Sequence, residues 1–436
     1  MNRAIVGYSK VEIRTKVTMK LVLVWLSLAT IFMSGLYTPT PIGIMFWSYI
    51  LMSMTFILMA VINRSIGLKN VWLIFFVILQ ACSLVSIMLT YSNYGDLLER
   101  FISSTAKVFL LFIFVIFYYL IYRTSNHSVV ELFYRYFQVA VFFSWLGVLQ
   151  ELIFILSGMD IFGLIGGGAK NHGAYLGIAG LSVEPAFYAC ALLPAAAYSI
   201  SEFVRSFKIT INSFVLILSV ILSTSSLGYL GLFAAAALSF FIGMNKKKLW
   251  MVLLSLPLVL IMVYKLTSTD FFQLRWHDTV SVLQGGELTM EDGMNISTYS
   301  AAVNAIIAIS SVKDNYGGGA GFGTYSTVFD KYINQYEMPT YRDTLPGRGS
   351  ATSLFSRATA EMGVVAWLFF VLVGSWCWRI LRRSTCKPIA IAYVSTLLII
   401  LMRMGEYYAN GVILVFLMIY WMKKEYEFHP NDKPKI

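Results

Sequence analysis

The sequence predicts an all-α polytopic membrane protein of about 12 transmembrane helices, arranged as a bundle with one large polar loop. Three observations carry this. Hydrophobic residues make up 58 % of the chain and charged residues 13 %, with a mean hydropathy of +0.72, a composition outside the range of soluble domains. Apolar runs long enough to cross a bilayer, about 20 residues each, recur through most of the chain. Lys and Arg gather in alternate short gaps between those runs, the pattern of loops held on the cytoplasmic side. The net charge of +11 is therefore read as topology and not as a nucleic-acid-binding patch.

In chain order, the first twenty residues carry Arg3, Lys10, Arg14, Lys16 and Lys20 and are expected inside. No small-residue cleavage site follows, so the first apolar run is read as a retained helix. Span one (19–37) reaches the uncharged outer turn TPTP, and span two (41–62) returns to Arg64 and Lys69. Span three (71–90) leads out to YSNYGDLLER, span four (107–122) back to Arg123 and His127, and span five, after Arg135, out again at Ser157. The glycine-rich outer loop GMDIFGLIGGGAKNHGAYLGIAG precedes span six, which starts at Glu184 and Pro185 and ends at Arg205 and Lys208. Spans seven (209–224) and eight (227–243) share a short serine turn, and Lys246, Lys247 and Lys248 mark the inner side. Span nine (249–266) enters the long polar loop, 267–353. Spans ten (354–378), eleven (389–402) and twelve (407–422) follow, and the tail 423–436 is basic at its start.

Twelve spans place both termini inside. On this assignment 22 of the 33 Lys and Arg are cytoplasmic with 6 of the 22 acids, leaving about +16 inside and −5 outside. The organisation is thus 1–266 for spans one to nine, 267–353 for a large external loop, 354–422 for spans ten to twelve, and 423–436 for the tail. The four cysteines show no metal or disulfide spacing. Within the loop, Phe272, Trp276, Val280 and Leu283 recur at helical spacing, as do Tyr299, Val303, Ile306 and Ile307. Two amphipathic helices lying on the membrane–water boundary are expected.

External arginines run against the positive-inside tendency. They are Arg275, Arg342, Arg348, Arg357 and Arg403, and the planar guanidinium suits bidentate phosphate binding. Local ion pairing is the plainer reading, because Glu406 follows Arg403 by three residues and Asp343 adjoins Arg342. Arg357 and Glu361 are spaced i, i+4, so they share one helical face, either as an internal pair or facing a cavity. Glu184 sits at the positive end of span six, where it is a good helix start or a carboxylate able to orient an arginine or a sugar hydroxyl. His172 and His277 are external and are candidates for contact with the substrate, with ordinary loop hydrogen bonding as the default. The glycine clusters at 166–168 and 317–323 lack the Lys-Ser/Thr that a nucleotide loop needs.

At these residues the chain resembles the O-antigen polymerases of the Wzy type and, more broadly, the polymerase/ligase group of bacterial surface-polysaccharide assembly. The carrying stretches are GLSVEPAFYA before span six, the large external loop, GGGAGFGTYS within it, SATSLFSRATAEMGVVAW after it, and RMGEYYANG before the last span. The resemblance implies a GT-C-like glycosyltransferase of the bacterial inner membrane, acting on its periplasmic face. It takes undecaprenyl-diphosphate-linked oligosaccharides as donor and acceptor, with a chain-length regulator as a partner. External arginines would hold the diphosphate, led by Arg357, Arg403 and Arg348 with Arg275 and Arg342 next, and an apolar cleft the polyprenyl tails. Glu184, Glu361 and Glu406 would support them. No metal or other cofactor is expected. Related ligases carry a histidine near the end of the large loop, where this chain reads TLPGRGSATSLFSR; that departure disfavours a ligase. A flippase for lipid-linked sugars is the alternative from another class, disfavoured by the long loop and by the lack of two related halves. On this reading Arg357→Ala and Arg403→Ala abolish polymer without reducing membrane abundance.

Overall fold

Long uncharged runs can satisfy their backbone in lipid only by forming helices, and the described residues are helical almost throughout. The computed structural model describes residues 19–40, 43–64, 70–91, 94–173, 175–242, 296–336, 338, 340, 345–384, 386–409 and 411–428. Span nine and the expected loop helix at Phe272–Leu283 spacing lie outside them. The helices are α1 (Met19–Ala29), α2 (Trp47–Asn63), α3 (Asn70–Thr90), α4 (Tyr94–Thr124), α5 (Val129–Ser157), α6 (Pro185–Ser206), α7 (Ile211–Leu222) and α8 (Ser226–Ile242). After the undescribed segment come α9 (Ile296–Asp314), α10 (Tyr325–Tyr332), α11 (Leu354–Met362), α12 (Val364–Arg383), α13 (Lys387–Arg403) and α14 (Val412–Phe428). Among the described residues five stretches are long and apolar enough to cross a membrane: Trp72–Thr90, Tyr94–Thr124, Val129–Ser157, Pro185–Ser206 and Val364–Arg383. The chain is a helical, multi-pass membrane protein.

Helix ends follow local chemistry. Ser128 caps α5 by accepting from the Glu131 N–H, and Gly158 ends the helix in the left-handed region. Thr210 and Ser353 cap α7 and α11 in the same way, and Pro185 occupies the first turn of α6.

Three expected spans differ from the structure. The run expected to reach Tyr37 stops early: α1 tightens into a 3₁₀ turn at Thr30–Phe32, and residues 38–40 of the expected outer turn belong to an antiparallel pair, Tyr37–Thr40 against Gly43–Phe46. Span four starts thirteen residues earlier than Lys107, because Leu97, Leu98, Phe101 and Ile102 carry the helical pattern through the polar residues between them. With 31 residues, α4 is roughly 46 Å long, and Lys107 lies roughly 20 Å along it. Span ten is broken in two at Gly363, whose φ of 55° and ψ of −131° separate α11 from α12.

The two ends of the bundle are distinct. At one, Asn63 Nδ2 donates to Thr124 Oγ1 (3.2 Å), and Glu425 accepts from Tyr122 Oη (3.0 Å) and the Val129 N–H (2.9 Å). The ends of α2, α4 and α14 and the start of α5 thus meet, as alternating passes require. At the other, the Gly35 N–H donates to the Leu181 carbonyl (2.8 Å), joining the first strand pair to the glycine-rich loop before α6.

The later part of the long loop has its own core. Tyr299, Val303 and Ile307 of α9, Tyr325, Val328 and Phe329 of α10, and Ala360 of α11 pack together, all nearly inaccessible. The helical spacing expected at Tyr299, Val303 and Ile307 is present, but that apolar face is buried against α10 and α11 and not laid on a membrane surface. Aromatic and branched side chains at these positions find a protein partner, so this part of the loop is a folded cap.

Candidate functional site

The site begins with glycines. The turn at 317–323 packs between α11 and the α3–α4 pair and closes hydrogen bonds to both. On the α11 side, the Ala320 and Gly321 N–H groups donate to the Ala360 (3.0 Å) and Glu361 (2.7 Å) carbonyls, and the Val364 N–H donates to the Gly317 carbonyl (2.9 Å). These bonds satisfy carbonyls that the end of α11 would leave orphaned. On the other side, Ser83 Oγ accepts from the Phe322 N–H (2.8 Å), Ser86 Oγ donates to the Gly318 carbonyl (2.6 Å), and Lys107 Nζ donates to the Gly323 carbonyl. A Cβ on Gly363 would run into the Gly317 carbonyl, so the break in span ten and the glycine turn are one feature.

Below this turn lies an arginine held by two carboxylates. Arg357 Nε reaches Glu361 Oε1 at 3.2 Å, and its Nη1 reaches Glu406 Oε2 at 3.2 Å and the Gly405 carbonyl at 2.8 Å. Its guanidinium also stacks 4.7 Å over the Tyr407 ring. Glu361 is fully buried and saturated: besides Arg357 it accepts from Tyr407 Oη (2.9 Å) and the Tyr325 N–H (3.2 Å). Tyr325 Oη continues the chain to Asn304 Oδ1, and Asn304 to the Ser300 carbonyl at 2.6 Å. The pair thus ties α11, α10, α9 and the segment after α13 into one polar network.

That segment, of which 404–409 and 411 are described, is not helical at those residues and runs beside the middle of α4. Tyr408 Oη donates to the Lys107 carbonyl (2.7 Å) and the Gly411 N–H to Tyr118 Oη (3.2 Å). Irregular backbone at such depth is tolerated where it is buried in protein or lines a cavity. A cavity is there. It is partly open and offers about 420 Å³ between α3, α4, α11, α12 and α14, with Trp72, Phe76, Leu111, Val115, Phe369 and Phe416 among its walls. Phe322 of the glycine turn and Tyr407 of the arginine cluster close its upper end, their rings 4.8 Å apart.

The expected residues divide. Arg357, Glu361 and Glu406 come together. Glu406 pairs with Arg357 and not with Arg403, because α13 ends at Arg403 and the turn at Met404 and Gly405 removes the helical i, i+3 geometry. Arg403 Nη2 instead donates to Ser297 Oγ of α9 (3.2 Å). Arg348 forms a two-pronged pair with Asp330 (2.7 Å each), about half exposed. Glu184 is the N-cap residue of α6 and makes no side-chain capping bond. His172 stacks on Tyr175 and shares a hydrogen bond with Thr224 (3.2 Å) in the loop before α6. Arg275, His277 and Arg342 lie outside the described residues.

Sequence reasoning missed Lys107, Tyr325, Asn304 and Tyr407. A lysine inside an apolar helix was a visible signal for Lys107, masked by placing the helix start there. The others bond to residues 21 to 46 positions away, which no local pattern encodes. No protein-family model matches the chain, and no curated protein matches it.

Proposed function

We propose that the protein is a glycosyltransferase of the bacterial inner membrane that polymerises surface-polysaccharide repeat units, the O-antigen being the type. Its substrates are undecaprenyl-diphosphate-linked oligosaccharides, donor and acceptor, joined on the periplasmic face, with both termini in the cytoplasm. The observation that carries this reading is the junction of an almost wholly apolar cavity with the Arg357–Glu361–Glu406 cluster at its upper end. An amphiphile with a long hydrocarbon tail and a polar head fits such a junction; a soluble sugar or a metabolite of uniform polarity does not.

In the proposed reaction the acceptor hydroxyl oxygen bonds to the anomeric carbon of the donor sugar, and the bond from that carbon to the diphosphate oxygen breaks. Undecaprenyl diphosphate leaves with the electron pair. Charge grows on the leaving oxygen, so a fixed cation beside it lowers the barrier. Arg357 is placed for this by two carboxylates and the Tyr407 ring. Glu361 is saturated by its donors and orients Arg357, while the Glu406 side chain, 38 % exposed, is the carboxylate open to take the hydroxyl proton. Arg403 and Arg348, bonded to Ser297 of α9 and Asp330 of α10, are contacts for the bound saccharide and its diphosphate, with Glu184 as a support.

Deleting the gene and displaying surface glycan by length tests the assignment. A single repeat unit without a ladder is expected. Loss of all surface repeat, with lipid-linked polymer accumulating, would make the protein a ligase instead, and unit-length precursor held on the cytoplasmic leaflet would make it a flippase.

A further inference from the structure

The cations around the cavity differ in how their charge is balanced. Arg357 faces two carboxylates, one of them fully buried, and Arg348 is paired with Asp330. Lys107 is different: among the described residues its ammonium meets a neutral partner, the Gly323 carbonyl, and forms no ion pair. Glu361 and Glu406 lie within its electrostatic reach, but so do Arg357 and Arg100.

Helical geometry fixes where this ammonium stands. Lys107, Leu111 and Val115 are spaced i, i+4, i+8 and share one face of α4. Leu111 and Val115 are cavity walls, so Lys107 stands one turn above the wall, at the upper end. The same end is closed by Phe322, one residue before the carbonyl that Lys107 holds, and by Tyr407, whose neighbour Tyr408 bonds the Lys107 carbonyl. An apolar channel leads, on its α4 side, to a positive charge with no counter-ion of its own.

We propose that Lys107 is the first-contact anion-binding residue of the cavity, taking the phosphate nearest a polyprenyl tail while Arg357 faces the sugar side of the same diphosphate. The assignment rests on the function proposed above. An anionic head supplies a stronger, charge-assisted acceptor than the Gly323 carbonyl. Its arrival therefore moves the ammonium off the glycine turn, and Phe322, the adjoining roof of the cavity, loses one of its ties. Arg357 needs no comparable exchange, since Glu406 is partly exposed and can swing aside while Glu361 stays in place.

The test is binding to full-length purified protein in nanodiscs, with undecaprenyl diphosphate, undecaprenyl phosphate and undecaprenol as probes. Inorganic diphosphate and phosphatidylglycerol serve as competitors. Lys107→Met, which keeps the length and apolarity of the stem, is expected to weaken undecaprenyl diphosphate binding at least about tenfold. It should leave undecaprenol unchanged, and Lys107→Arg should keep most of the affinity. Equal losses for undecaprenyl diphosphate and undecaprenol would reduce Lys107 to a support for the glycine turn and overturn the proposal. Unchanged diphosphate binding by Lys107→Met would overturn it while leaving the proposed function standing. Wild-type protein that binds none of the polyprenyl probes would overturn both. Lys107-dependent displacement by phosphatidylglycerol would assign the site to an ordinary lipid head group and overturn the diphosphate assignment, and inorganic diphosphate acting alone would do so in favour of a free anion.

Discussion

Two arginine–carboxylate contacts in this protein look alike on paper and do opposite work. Arg348 and Asp330 make the better geometry, two prongs at 2.7 Å, but their side chains are 53 % and 46 % exposed. Arg357 and Glu361 meet at a looser 3.2 Å with side chains 8 % and 0 % exposed. Water already solvates the first pair, so its attraction adds little to what either ion has without the other. The second pair has surrendered water, and each ion depends on the other and on Tyr407, the Tyr325 N–H and the Gly405 carbonyl for its remaining stabilisation. Burial, not distance, decides which contact is part of the architecture.

Removing one partner separates the two contacts most widely. Arg357→Ala strands Glu361 as an uncompensated buried charge and is expected to cost about 3–5 kcal/mol. Thermal unfolding in detergent should show the loss, and membrane abundance should fall with it. This revises the expectation from sequence that Arg357→Ala would spare abundance; Arg357→Lys, which keeps the charge, is the variant that separates fold from function. Next comes Gly363→Ala. Its backbone conformation alone costs on the order of 1–3 kcal/mol for a side-chain-bearing residue, and the new Cβ collides with the Gly317 carbonyl. Protease sensitivity within 317–323, beyond that of wild type, would report the broken turn. Arg348→Ala should cost only about 0.2–1 kcal/mol, so a loss as large as that of Arg357→Ala would erase the contrast.

The smallest effect is one of pH. Tyr332 Oη (2.6 Å), and then Lys331 (3.4 Å), hold the Asp314 carboxyl below the usual carboxylate range. A depressed carboxyl stabilises the folded cap fully above its unfolded value, about pH 3.9, and loses that contribution as pH falls through the folded value. Asp314 is about half exposed, so the response is slight. Amide protection in α9 and α10, taken relative to the intrinsic exchange rate at each pH, should fall below about pH 4 in wild type and lose this pH step in Asp314→Asn.

What the sequence made legible was whatever chemistry is local. Pro185 and Ser128 mark helix starts, basic gaps mark one side, and the i, i+4 spacing puts Arg357 on Glu361. Two local rules were overridden. The apolar run after Gly363 hid a break that the glycine turn imposes from some forty residues upstream. The spacing of Arg403 and Glu406 promised a pair that the end of α13 dissolves. Lys107 was read as a boundary because a charge usually is one; only the continuous α4 shows it inside the helix. The network through Tyr325, Asn304 and Tyr407 needed the fold, since its members are distant in the chain.

The central claim is that the Arg357 cluster at the end of the cavity carries the chemistry and is not merely a prop for the cap. Surface-glycan length in cells carrying Arg357→Lys or Glu406→Gln, at membrane abundance matched to wild type, tests it most directly. A single repeat unit, with the ladder lost or sharply reduced, is expected in both. Full-length ladders from both variants would contradict it.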